Sequence, residues 1–448
     1  MRTDANAVGQ RQAGERGQRS TFLLGAGVTV FAVAVAAYLI AIATHRADAM
    51  LHGFDLGVYL EGGRLARHAP GTLYDWSQPH HPGIKFTYPP FAAMLFAVLS
   101  FAPWRTLEDI AVVVSIGALV ATLWIAFREL GVAAKAARWG ATLLLAGVCL
   151  WLEPVQRALY LGQVELGLMA LTVWDMCQPD RRRWKGAGVG LAAAIKLVPL
   201  IFIAYLILTR RFRAAVVAIA VFAVTVVAGF AALPHASVQW WLHGDFLQAG
   251  RTGFVGVSSN QSVRGMLTRL TGSVAHGEPP WIVLAVLIGV AGLAAAVLLH
   301  RAGREFEGLM TCALTAVLIS PISWDHHWVW LAPGLAVLAV AAVRARDALV
   351  RSGLAATIAV LIVVFAGWPK FWDSQAGLLQ GGLIWYAPTE SFPSGDSPGY
   401  AEYHWHGLQL IAGNLYVLAG FVVFVIALGA AWAAWQAARP RGHLRTNS

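Results

Sequence analysis

Long apolar runs recur along the whole sequence, and short clusters of arginine and lysine separate them. A run of about 20 apolar residues spans the ~30 Å hydrocarbon layer as a helix. A chain that repeats the pattern throughout is therefore an all-α, polytopic transmembrane helix bundle rather than a soluble domain with an anchor. Only 12% of its 448 residues are charged and 58% are hydrophobic, against about 25% charged in a soluble protein. The formal charge of +10 comes from 33 basic and 23 acidic residues. In a soluble protein that surplus would suggest nucleic acid. Here the basic residues lie between spans, where they orient helices, so no nucleic-acid partner is expected and membrane lipids are.

The charge pattern predicts a topology. Residues 1–20 form a basic cytoplasmic tail with Arg2, Arg11, Arg16 and Arg19. The run at 21–44 outlasts the roughly 7–15 apolar residues of a secretory signal, so it is an uncleaved first span. The segment 45–87 is then an outer loop, with a short interfacial helix at 56–68, and Asp55 falls on the outer face. Tyr88-Pro89-Pro90 opens the next helix, because proline is tolerated at a helix start. Further segments are expected near 90–103, 108–127, 140–152 and 160–176, then 214–233, 281–300, 306–319, 327–343, 351–367 and 408–437. Basic clusters at 210–213, 301–304, 344–351 and 439–445 read as cytoplasmic, as does the tail 438–448. The loops 234–280, 320–327 and 368–407 join 45–87 on the outside. The single membrane domain, 21–437, holds roughly 10–13 helices by this threading.

One stretch resists simple threading. The clusters at 181–185 and 210–213 both read as cytoplasmic, yet one span's worth of sequence separates them, interrupted by Ile195-Lys196-Leu197-Val198-Pro199. Two half-helices meeting at Lys196 and Pro199 satisfy both clusters; a single kinked span puts one outside. Broken backbone at membrane depth requires protein or a watery cavity around it.

Few residues are equipped for chemistry. Asp55 stands among Phe54, Leu56, Val58 and Tyr59, an apolar interfacial setting that raises a carboxyl pKa and improves it as a base. Arg64, roughly two to three helical turns along the same face, is a counter-ion or phosphate contact, or an interfacial arginine meeting headgroups. The run Ser320-Pro321-Ile322-Ser323-Trp324-Asp325-His326-His327-Trp328 sets two histidines and a carboxylate among tryptophans. An aromatic belt explains the tryptophans but not the histidines. Adjacent histidines on a helix diverge by about 100°, and neither has an H-x-x-x-H or C-x-x-C partner, so no metal is expected. Asn260 and Gln261, with Arg264, form a polar loop suited to sugar hydroxyls and a phosphate. Gln163 and Glu165 open an apolar run. Lys196 costs roughly 2.5–3.5 kcal/mol in a membrane, so it pairs either with a lipid phosphate or with a carboxylate such as Glu153 or Glu165. Cys149, Cys177 and Cys312 make no spaced pair, so no disulfide framework or zinc site is expected.

Seven short motifs in order are together specific: Asp55-Leu56-Gly57-Val58-Tyr59, Gly71-Thr72-Leu73-Tyr74, Phe86-Thr87-Tyr88-Pro89-Pro90-Phe91, Leu161-Gly162-Gln163-Val164, Ala194-Ile195-Lys196-Leu197-Val198-Pro199, Asn260-Gln261-Ser262 and the run 320–328. Along nearly its whole length the chain resembles the polyprenol-phosphate-mannose-dependent mannosyltransferases of glycosyltransferase family 87, which have a GT-C type membrane fold. The resemblance implies a polyprenyl-phosphate-mannose donor at the outer leaflet of a bacterial plasma membrane. It implies a mannosylated glycolipid acceptor of the phosphatidylinositol mannoside or lipomannan type, and α-1,2 transfer with inversion. It makes Asp55 the base and one of His326 and His327 a donor contact, with Lys196, Arg64 and Arg264 further candidates for the donor phosphate. Tyr59, Tyr88, Gln163, Asn260, Gln261 and Trp324 are candidates for acceptor or sugar binding. No cofactor is implied. Glu165 departs from the pattern, where an asparagine is expected.

Three other readings stay open at this stage. A related arabinofuranosyltransferase would use the same architecture and a polyprenyl-phosphate donor. A lipid or sugar transporter would carry charges at mid-membrane on several helices and an internal repeat; the unusual polar residues here gather in outer loops. A structural subunit would have nothing that depends on Asp55.

Overall fold

The computed structural model describes residues 2–44, 53–79, 81–368, 381–389 and 399–438. The predicted tail cluster 439–445 and parts of the loops 45–87 and 368–407 lie outside them. Among the described residues the protein is an all-α bundle, and its only sheet is a two-stranded antiparallel ribbon, β1 (Ser77–Gln78) and β2 (His81–Lys85). Seven helices among the described residues are long and apolar enough to cross a membrane. Shorter apolar helices pack among them.

Helix α1 (Arg2–Thr44) is continuous, so the expected boundary at residue 20 is not a helix end; its apolar stretch is Gly17–Ile40. After α2 (Phe54–His68), α3 (Pro90–Leu99) and α4 (Trp104–Glu129), helix α5 (Lys135–Cys149) lies along α1. Glycine makes that crossing close: a Cβ on Gly27 would stand 2.2 Å from the carbonyl oxygen of Gly140. In lipid no hydrophobic effect drives such pairs, and close backbone packing of small residues takes its place.

The segment expected at 160–176 is divided. Helix α6 (Glu153–Leu161) ends at Gly162, and α7 (Glu165–Met176) begins three residues later. The interruption needs Gly162 at φ 68°, a left-handed conformation that glycine adopts without steric penalty.

The stretch around Lys196 forms the broken hairpin. Helix α8 (Ala187–Ile195) stops at Lys196, which is extended, and α9 (Leu200–Leu208) restarts after Pro199. Proline has no N–H to continue the ladder, and the residue before it avoids helical geometry. The two basic clusters meet at the hairpin's open end: Arg213 donates to the carbonyl of Arg182 at 3.0 Å and to that of Arg181 at 3.4 Å. Both clusters therefore lie at one end of the bundle, as their charge predicts.

Helix α10 (Phe212–Ala232) packs on α8. Helix α11 (Val263–Thr271) precedes α12 (Val274–Arg301), which starts seven residues earlier than the expected 281 and runs through Pro279 and Pro280. The side chain of Ser273 accepts from the His276 N–H and starts it early. Helix α13 (Glu305–Ile319) lies against α12, and a tight turn at Asp325–Trp330 leads into α14 (Leu331–Arg344). Helices α15 (Ala348–Phe365) and α16 (Leu415–Ala438) complete the described bundle.

Candidate active site

Three local features bring one acid to one cavity. The N–H of Gly53 donates to the carbonyl of Tyr160 at 2.9 Å, which pins the start of α2 to the end of α6. The turn at Gly162 packs against Leu56; a Cβ there would stand 2.8 Å from that of Leu56. Gln163, next along, is thereby set beside Asp55 and hydrogen-bonds its carboxyl group. Tyr59, one turn along α2, donates to Gln163 Oε1 at 2.5 Å, so the amide nitrogen is left to face the acid.

The cavity holds about 470 Å³ and is lined by Asp55, Tyr88, Arg157, Gln163, Lys196, Trp324, Asp325, His326 and His327, among others. That is enough room for a sugar phosphate, within the usual range of ligand pockets. Burial raises the pKa of Asp55 above the usual carboxylate value. The charges of His326, Lys196 and Arg157 and the Gln163 amide work against the rise. A carboxyl group so placed is more basic than a solvated one.

Lys196, at the tip of the hairpin, is paired with Glu165 and lies 3.0 Å from His327 Nε2. Of the two kinds of partner expected for it, a lipid phosphate or a carboxylate such as Glu153 or Glu165, the structure shows the carboxylate Glu165. Glu165, His326 and His327 place one ligating atom each within 4.8 Å of one another, a convergence that sequence spacing did not show. The Lys196 ammonium hydrogen-bonds two of the three, and a fixed positive charge there opposes a second cation. This donor set does not fit a metal ion.

The remaining predicted residues divide by position. Tyr59 is buried behind Gln163 and 3.0 Å from the Tyr88 hydroxyl, so it supports the cavity without lining it. Arg64 is exposed, outside the cavity lining, and paired with Glu61 at 2.6 Å; α2 turns it away from Asp55. Arg264 also lies outside the lining, held by Glu278 at 3.0 Å and placed over the Trp281 ring. Asn260 and Gln261 are fully buried and occupied by the backbone. Asn260 donates to Val255 and accepts from the Ser323 N–H at 3.0 Å; Gln261 donates to Ser258 and Gly413 and accepts from Tyr416. These amides brace the turn that carries Trp324 to His327. The same loop binds that turn through backbone bonds, Gln261 N–H to Ser323 and Asp325 N–H to Ser259.

Two charged groups escaped the sequence reading as site residues. Arg157 lines the cavity between the rings of Tyr160 and Trp385. Glu153, beneath it on α6, is buried and accepts from Trp385 at 3.1 Å and Tyr416 at 2.9 Å. A charge at each of two positions four apart in one short helix was the available signal.

Residues 86–321 match the profile of glycosyltransferase family 87. A polyprenol-phosphate-mannose-dependent alpha-(1-2)-phosphatidylinositol pentamannoside mannosyltransferase of Mycobacterium tuberculosis is 37% identical over 62% of this chain, and the match spans 64% of that protein's length. A polyprenol-phosphate-mannose-dependent alpha-(1-2)-phosphatidylinositol mannoside mannosyltransferase of the same species is 31% identical over 68% of this chain and 72% of its own. Its namesake in Mycolicibacterium smegmatis is 31% identical over 74% and 81%. No solved structure matches significantly. The profile covers more than half of the chain, and this protein belongs to glycosyltransferase family 87.

Proposed function

We propose that this protein moves mannose from polyprenyl-phosphate-mannose to a lipid-anchored phosphatidylinositol mannoside, making an α-1,2 linkage with inversion. The observation that carries the reading is the single cavity in which Asp55 faces Lys196, His326 and His327. The names of the relatives supply the donor, the acceptor class and the linkage. Mannose is preferred to arabinofuranose on those names.

An inverting transfer needs a base for the attacking hydroxyl and positive or hydrogen-bonding groups for the departing phosphate. In this scheme Asp55 takes the proton of an acceptor hydroxyl as its oxygen attacks C1 of the β-linked mannose. The bond from C1 to the phosphate oxygen breaks on the opposite face, and polyprenyl phosphate leaves as an anion. Phosphate is a good leaving group, so no strong acid is required. Lys196 has three N–H donors, and two are directed at Glu165 and His327; the third is left for a phosphate oxygen. Trp324, partly exposed in the lining, offers an indole face to a sugar ring.

The charge pattern supports cytoplasmic termini and a site that opens to the outer face, where the donor lipid is presented. The test uses the purified protein with polyprenyl-phosphate-mannose and a phosphatidylinositol mannoside. Asp55→Asn is expected to lower transfer by about 10²–10⁴-fold, the usual contribution of a general base. Undiminished transfer by that variant refutes the role of Asp55, and no transfer by the unaltered protein refutes the substrates.

A further inference from the structure

In the cavity lining the structure holds a buried aspartate that the transfer scheme does not use. Asp325 is 1% exposed, and its Oδ1 accepts from the backbone N–H of His326 at 2.8 Å while facing Nδ1 of the same residue at 3.1 Å. One oxygen thus grips His326 at two points, which fixes both the ring's direction and the nitrogen it turns inward. The other nitrogen, Nε2, is buried in the cavity lining with no hydrogen-bond partner among the described residues. A buried polar atom without a partner is uncommon and calls for an explanation such as a ligand.

Asp325 is itself held. Its N–H donates to the Ser259 carbonyl at 2.8 Å. Arg157 Nε lies 3.7 Å from its Oδ2, a charge pairing without a hydrogen bond. Glu153, on the same helix as Arg157, is anchored by Trp385 and Tyr416. This much fixed polar structure around one aspartate is out of proportion to closing a turn that backbone bonds already close.

We propose that Asp325 is a positioning residue for transfer: by capturing Nδ1 of His326 it presents Nε2 to the reacting groups opposite Asp55, while the Ser259 carbonyl and the charge of Arg157 hold Asp325 in place. The inference rests on the mannosyl-transfer reading. It assigns to Asp325 no contact with substrate; its effect passes through the imidazole.

A double-mutant cycle in the transfer assay tests it. Asp325→Ala is expected to lower kcat by about 10²-fold, the usual consequence of a misplaced reacting group, and to leave the donor KM near its original value. Asp325→Asn, which keeps an acceptor oxygen for the ring, is expected to recover part of the loss. In a His326→Ala background, Asp325→Ala is expected to add nothing, because residues that act as one unit are non-additive. Size-exclusion elution and thermal unfolding check each variant; where Asp325→Ala does not fold, the cycle is run with Asp325→Asn. Full additivity in the cycle, or a raised donor KM with unchanged kcat, overturns the positioning role. If the unaltered protein transfers mannose and the cycle is additive, only this inference falls. If it transfers none, the functional reading falls and takes the inference with it.

Discussion

Removing one charge of the Lys196–Glu165 pair strands the other inside the bundle. Their side chains are 17% and 11% exposed, so the pair counts as buried, and deleting one partner of a buried pair costs about 3–5 kcal/mol. The structure moderates each case differently. In Lys196→Met, Glu165 keeps His327 Nε2 at 3.2 Å, which places the loss near the lower end, about 3 kcal/mol. In Glu165→Gln an amide oxygen still accepts from the ammonium, so the loss is about 1.5–3 kcal/mol, the worth of a hydrogen bond to a charged group. The double variant Lys196→Met/Glu165→Gln strands no charge and is expected to unfold close to the unaltered protein, since replacing both partners is often neutral. Its transfer rate is another matter. Without the ammonium the leaving phosphate loses one preorganised donor, which costs about 10²–10³-fold. Thermal unfolding followed by tryptophan fluorescence in detergent, run beside the transfer assay, separates the two effects. A double variant as unstable as Lys196→Met, or one that transfers at full rate, refutes the reasoning.

Further outcomes follow from the same geometry. Burial raises the Asp55 pKa, so the folded protein holds that proton to a higher pH than a free side chain does. Transfer is therefore expected to fall as the pH drops through a point above the ordinary value of 3.8. A pH–rate profile of kcat/KM that is flat through the region above that value refutes it. Gly162→Ala imposes a left-handed conformation costing about 1–2 kcal/mol and crowds Leu56. It is expected to lower kcat by shifting Gln163, and an unchanged kcat shows that the turn does not position the acid. Asn260→Ala is expected to lose about 1–3 kcal/mol of stability for the buried groups left unpaired, with the substrate KM values unchanged. A raised KM with unchanged stability returns Asn260 to sugar binding. Single cysteines at positions 181 and 213, in a protein whose own three cysteines are replaced, are expected to react with an impermeant maleimide from one side of the membrane only. Labelling from opposite sides excludes the hairpin.

Much of the fold was legible because its determinants are local. The break after Ile195 is written in Lys196 and Pro199, and the helix from Phe54 to His68 in a short periodic segment. Asp55 and the histidine pair stood out because charged and imidazole groups are expensive at a membrane. The residues that the structure keeps out of the cavity lining were named for a different reason. A loop such as Ser258-Ser259-Asn260-Gln261-Ser262 has the same composition whether its amides meet a sugar or its own backbone, and only the three-dimensional path decides. Arg64 and Arg264 were drawn toward the site by charge, yet each finds a nearby carboxylate, Glu61 and Glu278, on a surface away from it. Glu153 and Arg157 went unrecognised for the opposite reason. Their partners Tyr416 and Asp325 lie far along the chain, and no spacing rule reaches that distance.

The hairpin of α8 and α9 also bears on how the protein is made. Each arm has nine residues, about 13.5 Å at 1.5 Å per residue, less than half of the ~30 Å hydrocarbon layer. Neither arm can be threaded across the bilayer alone, and the tip between them carries an ammonium group that hydrocarbon disfavours. Glu165 precedes Lys196 by 31 residues, so during synthesis the counter-charge on α7 is already in place when the tip emerges. His327 follows 131 residues later and closes the set last. Chain order thus neutralises the lysine before the cavity exists, and a permuted chain that delivers α8 before α7 would have to insert that charge unaccompanied.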